Sequence, residues 1–317
     1  MTARAGRSQR RMLLVHAHPD DESLGTGVTM AKYAAEGAHV ALLTCTRGEE
    51  GVVLVSELAH LAATSHDGLG EYRERELAAA MGALGVRDHR FLDTVRLPSD
   101  DGRPAPHYRD SGMAWDARHR AIAAPDTGPE AFARADLDEA AARVAAVVRE
   151  LRPHVLGTYE PGGGYGHPDH VQAHRVAMRG VELALAGPGP GGAAWTVPKV
   201  YWSVLPESVV RSMLREAEQR GQLPPGWDPD GELPSLVVPD GAVTAVIDGQ
   251  AFLAQKTAAL RAHATQVIVR NGVVDIGDGA RQPISGSEWY ELARGSAAPA
   301  VPGGQETDLF AGVDDVD

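Results

Sequence analysis

His16-Ala17-His18-Pro19-Asp20-Asp21-Glu22 follows directly on the apolar run Met12-Leu13-Leu14-Val15. A short apolar run bounded by polar residues reads as a buried strand, so the seven residues stand at a strand's carboxyl end. A dinucleotide-binding fold would place a glycine-rich turn there, to admit a pyrophosphate to the backbone. Imidazoles and carboxylates stand there instead, and Gly25-Thr26-Gly27 arrives only after the acids, inside the next helix. That argues against a nucleotide-dependent oxidoreductase. Histidines and acids crowded at the end of a buried strand cost free energy unless they pair or hold a cation. Zinc accepts both donor types, and a catalytic site takes three protein ligands and leaves a position for water. Acids at a helix start also favour its dipole. That accounts for Asp20 to Glu22 in part and for neither histidine.

Outward from this stretch, strand and helix alternate. Ser23 can cap a helix running to Gly37. Strands are expected at 40–43, 91–92 and 155–159, and helices at 71–84, 134–151 and 171–185. Such alternation predicts an α/β fold: a Rossmann-like, mostly parallel sheet with helices on both faces. Ligands then bind beyond the carboxyl ends of the strands. We expect a catalytic core over 11–190, with a loop insertion at 95–130 forming a wall on the ligand side. A smaller C-terminal α/β portion over 191–317 would complete the substrate pocket. It has expected strands at 200–204 and 243–247 and helices at 208–220 and 251–262. Residues 1–10 read as a frayed tail.

A second chemical motif, Gly162-Gly163-Gly164-Tyr165-Gly166-His167-Pro168-Asp169-His170, follows the strand at 155–159. Pro168 suits the first position of a helix, and glycines let the chain approach a ligand closely. A lone histidine here is more often a helix cap or surface residue. Two strand ends that each deliver a His-Pro-Asp step are more specific, and both should meet at one edge of the sheet. His174, one helical turn after His170, is a further ligand candidate. A fully occupied site would leave no room for water, so a supporting role fits it better. His263, after the helix at 251–262, is placed to border the site.

Composition narrows the partners. With 30 basic against 43 acidic residues the net charge is −13, which disfavours nucleic acid or an anionic membrane as partner and leaves a small neutral substrate open. The single cysteine, Cys45, lies in an apolar run and reads as core. No intrachain disulfide is possible, which suits a reducing compartment. No segment has the ~18 apolar residues of a membrane span. A cytoplasmic setting is expected, and the oligomeric state is left open.

His18-Pro19-Asp20-Asp21-Glu22 together with His167-Pro168-Asp169-His170 resembles the PIG-L/LmbE-like deacetylases, zinc enzymes with a Rossmann-like core that hydrolyse acetamides on glucosamine derivatives. Several further stretches are similar to the family's mycothiol-pathway branch: Gly48-Glu49-Glu50-Gly51, Tyr108 through Met113, Trp195 through Lys199, Ala262 through Gln266 and Glu306 through Leu309. That branch holds an N-acetylglucosaminyl-inositol deacetylase and a mycothiol S-conjugate amidase. Gly164-Tyr165-Gly166-His167 and Asp110-Ser111-Gly112-Met113 resemble the former more. An acid expected just after Gly51 is replaced by Val52 and Val53.

The resemblance implies that His18, Asp21 and His170 bind one Zn²⁺ per chain. These donor types also suit Fe²⁺. It implies Asp20 as general base, Tyr165 and His167 facing the reacting carbonyl, and Asp169 behind His167. Arg73, Asp110 and Met113 would contact the amino-sugar substrate. A proton for the leaving amine would come from Asp20 or from a protonated His167.

Overall fold

In a computed structural model the described residues are 9–102, 104, 106–115, 121–125, 127–223, 227–277, 281–298 and 304–313. Most of the expected tail at 1–10, residues 116–120 of the insertion, and residues 224–226 of a proline-rich loop lie outside them.

The elements run β1 Arg11–His16, α1 Asp21–Gly25, α2 Gly27–Ala35, β2 His39–Thr44, α3 Leu69–Leu84, β3 Asp88–Phe91, β4 Met113–Trp115, β5 Ala121–Ala123, α4 Leu137–Leu151, β6 Val155–Tyr159 and α5 Pro168–Ala186. They continue with β7 Lys199–Pro206, α6 Glu207–Gln219, β8 Val237–Val238, β9 Ala245–Asp248, α7 Leu253–Ala262, β10 Ile268–Arg270, β11 Val273–Asp275, β12 Arg281–Pro283 and β13 Ser287–Arg294. The main sheet has the order β3-β2-β1-β6-β7-β13-β9, with β8 pairing the end of β7. From β3 to β7 every pairing is parallel.

Side chains alternate across a strand, and both faces of β1 are apolar. Leu13 and Val15 pack with Val144 and Val148 of α4 and Val176 of α5. Met12 and Leu14 pack on the other face with Met30 and Tyr33 of α2, Leu77 and Met81 of α3, and Ala259 of α7. This double burial explains why the strand sequence is apolar throughout rather than alternating.

Three differences from the sequence reading have local causes. The helix expected from Ser23 to Gly37 starts at Asp21 and breaks at Thr26, whose φ of −134° is not helical. The Thr26 hydroxyl donates to Glu22 O and meets His16 Nε2, 3.0 Å each. The third strand is Asp88–Phe91, not 91–92. β13 was not expected. It runs antiparallel between β7 and β9, so the sheet passes from the core into the C-terminal portion without a break. The insertion carries the antiparallel hairpin β4–β5.

Strand order reverses between β1 and β6, since β2 and β3 lie on one side of β1 and β6 and β7 on the other. That switch point opens a crevice beyond the carboxyl ends. The loops after β1 and β6 that enter it are the two motifs.

Candidate active site

His18 is the hub, 7% exposed. Its Nδ1 lies 3.3 Å from Asp21 Oδ2. Its Nε2 faces Asp169 Oδ2 at 3.3 Å and Asp110 Oδ1 at 3.6 Å. Burial alone would disfavour the charged ring, yet these carboxylates hold it well above the usual imidazole range. Asp21 reaches the second motif, with Oδ1 3.3 Å from His170 Nε2. His170 is stacked on Tyr159 with ring centroids 4.4 Å apart. Despite burial, the two imidazoles hold Asp21 well below the carboxylate range.

This cluster fits a cation. Three carboxylates surround one imidazole, and buried His170 Nε2 faces Asp21 Oδ1 at 3.3 Å without a hydrogen bond of good geometry. A buried polar atom whose hydrogen bond is left unmade asks for an explanation such as an ion. Ligand-type atoms of His18, His167 and His170 lie within 4.8 Å of one another, as do those of His18, Asp110 and Asp169. Asp21 touches both His18 and His170. Asp21 thus links His18 and His170 pairwise, while the groups whose ligand atoms all converge are His18 with His167 and His170, and His18 with Asp110 and Asp169.

Asp20 sits next to the cluster in a backbone conformation rare for a non-glycine residue, φ 121°. Its carboxyl is pushed up to about 6 by burial, with Asp21 acting in the same direction and Arg73 and His263 opposing. Arg73, expected to contact substrate, is instead turned inward. It is 2% exposed and donates to Asp20 Oδ2 at 3.1 Å, to Gly48 O at 2.7 Å and to Pro19 O. It braces Asp20 from behind.

Asp169 is likewise redirected. Its carboxylate is held by the Ser111 backbone N–H at 2.8 Å and by the Ser111 hydroxyl, and faces His18. Only its backbone N–H meets His167, donating to Nδ1 at 3.1 Å. With Nδ1 an acceptor, the neutral His167 ring carries its proton on Nε2. Burial, then His18 and His170, push His167 down to about 2. This favours a neutral ring with its donor on Nε2 over a protonated acid.

Tyr165 is 38% exposed and lies edge-on to His170, centroids 5.1 Å apart. Its glycine loop is shaped by close approach. A side chain on Gly163, φ 69°, would meet Val171 N at 2.6 Å, and one on Gly166, φ 96°, would meet Ala121 O of β5 at 3.2 Å. Asp110 accepts from Gly112 N at 2.9 Å and Glu50 N at 3.2 Å, which ties the insertion to the Glu49-Glu50 turn. Met113 opens β4, paired with Ala123. His174 donates to or accepts from no cluster residue. Its Nδ1 meets Tyr159 O at 2.9 Å, a supporting position.

Several site residues escaped the sequence reading. Tyr159 accepts from Ala17 N and donates to Asp21 Oδ2, both at 2.8 Å. Glu160 accepts from the Gly162 and Gly164 N–H groups and is met by Ser235 Oγ at 2.8 Å. The available signal was their place at the carboxyl end of β6.

A family model described as PIG-L, GlcNAc-PI de-N-acetylase, matches residues 13–181. The chain belongs to the PIG-L family. Within it, the chain is 49% identical over 308 residues to the 1D-myo-inositol 2-acetamido-2-deoxy-alpha-D-glucopyranoside deacetylase of Kribbella flavida, covering 96% of this chain and 98% of that one. It is 53% identical to the protein of the same name from Kineococcus radiotolerans, covering 96% and 83%. Among solved structures, the 4-carboxy-2-hydroxymuconate hydratase GalB of Pseudomonas putida is similar in fold, with a TM-score of 0.54 at 18% identity over 92% of this chain and 100% of that one. The PIG-L match spans both motifs, from β1 to α5. Among the described residues no helix is long and apolar enough to cross a membrane.

Proposed function

We propose that this PIG-L family member is a zinc-dependent N-deacetylase that hydrolyses the acetamide of 1D-myo-inositol 2-acetamido-2-deoxy-α-D-glucopyranoside, releasing acetate and the free amino sugar for mycothiol biosynthesis. The observation that carries the reading is the convergence of His18, Asp21 and His170 at the switch point with Asp20 beside them. Half-identical relatives of that name, matched over nearly the whole chain, support the substrate.

His18, Asp21 and His170 would hold the cation, whose Lewis acidity serves both water and the amide carbonyl. Asp20, raised to about 6, takes the proton from the attacking water. His167 Nε2–H and the Tyr165 hydroxyl donate to the oxyanion that develops on the acetyl oxygen. As the C–N bond breaks, Asp20 returns its proton to the amine. A neutral His167 has no spare proton to give, which favours Asp20 for both transfers. Asp110 and Met113 are assigned to contacts with the amino sugar.

Acetate release from the glucosaminyl-inositol substrate, plain N-acetylglucosamine and a mycothiol S-conjugate, measured side by side with metal content on the same sample, tests the reading. It fails if the inositol substrate is not hydrolysed, or if the S-conjugate is cleaved with the higher kcat/KM.

A further inference from the structure

Asp20 has φ 121° and ψ −32°, a backbone that an L-residue adopts at a cost and keeps only when its surroundings impose it. The side chain that holds its backbone N–H is Glu22. Its side chain is fully buried, and Oε2 accepts the Asp20 backbone N–H at 2.9 Å. The other oxygen, Oε1, accepts from the Ser23 hydroxyl and meets His263 Nε2 at 2.8 Å. His263 is also fully buried and arrives from the end of α7, at the far end of the sequence. A buried carboxylate and a buried imidazole, neither in the cation cluster, thus form a chain that ends on the backbone of the base.

We infer that Glu22 and His263 are positioning residues for the reaction. Glu22 fixes the Asp20 peptide so that its carboxylate turns toward the attacking water, and His263 fixes Glu22. Arg73 holds the same residue at its carboxylate, so Asp20 is gripped at both ends. The arrangement also explains a fully buried acid in a stretch where Asp20 and Asp21 already supply the chemistry. An ordinary helix-start role would need neither the complete burial nor the partner from α7. The inference rests on the reading of Asp20 as the base.

The test compares two near-isosteric substitutions in the metal-loaded enzyme. Glu22→Gln keeps an acceptor for the Asp20 N–H, and Glu22→Leu removes it. Misplacing a reacting group by about 1 Å costs on the order of 100-fold. Glu22→Leu should therefore lower kcat at least tenfold, with KM within twofold and metal content unchanged, while Glu22→Gln should stay within about threefold of the parent. Should Glu22→Leu fail to fold, His263→Gln against His263→Leu poses the same comparison one bond further out. Glu22→Leu added to Asp20→Asn should cost nothing further in the residual rate, because residues that act through one group are not additive. A folded leucine variant with the parent kcat, or a full additional loss on top of Asp20→Asn, overturns the inference. An active Asp20→Asn enzyme instead overturns the assignment of the base itself, so the two failures are distinguishable.

Discussion

Tyr159 donates its hydroxyl to Asp21 Oδ2 at 2.8 Å, so the last residue of β6 orients a carboxylate at the start of α1. Its ring meanwhile stacks on His170. One side chain thereby sets two of the three proposed ligands. Partners of this kind typically contribute 10–100-fold in metal affinity. Tyr159→Phe should keep the stack and lose the hydrogen bond, weakening zinc binding about tenfold or more in a chelator competition. Unchanged affinity would show that Asp21 needs no orienting partner.

Metal removal should abolish activity and added Zn²⁺ should restore it. The motivation is the cluster of carboxylates around His18 and the contact of Asp21 with His170 Nε2. Full turnover in a sample shown by elemental analysis to be metal-free would sink the proposal.

Asp20→Asn should retain metal and lose kcat, because the proposed base lies beside a proposed ligand and is not one. In the parent enzyme a protonated Asp20 cannot accept a proton. Activity should therefore rise with pH through the Asp20 value, placed by burial at about 6, and fall away below it. A cation at the adjacent Asp21 can only shift this limb to lower pH. A kcat/KM profile whose acid limb persists unchanged in the residual activity of Asp20→Asn would assign that limb to another group.

His167→Ala should lower kcat by roughly 100–1,000-fold, the usual loss of one oxyanion donor. Because burial and the neighbouring imidazoles push His167 down to about 2, it stays neutral throughout the working range. The alkaline limb of the pH profile should therefore be the same in the variant as in the parent. Loss of that limb in His167→Ala would restore the protonated-acid role instead.

A stability prediction lies away from the site. Lys199 Nζ and Glu306 Oε1 pair at 2.6 Å, 1% and 3% exposed, and Glu306 also accepts from Tyr201 and Ala298 N. Glu306→Ala would leave an ammonium buried and unpaired, at a cost of about 3–5 kcal/mol. Denaturant unfolding should show this, and a change under about 1 kcal/mol would mean that water or another acceptor reaches Lys199.

The sequence was sufficient for whatever depends on local pattern. Apolar runs of strand length and Pro168 at a helix start are signals carried by neighbouring residues. They placed β1, β2, β6 and the helices between them, and with them the two loops that hold the chemistry. β13 was missed because Ser287–Arg294 mixes polar and apolar residues, as an antiparallel strand between β7 and β9 can when only some positions face the core. Within the site, tertiary structure alone decided which carboxylate meets which imidazole. Asp169 lies two residues from His167 yet sends its carboxylate to Ser111 and His18. Arg73 serves Asp20, and Glu22 finds its partner in His263, 241 positions along the chain. A hydrogen bond is made or lost over a few tenths of an ångström. Its partner is therefore chosen by strand register, loop path and rotamer, none of which leaves a periodic trace in the sequence.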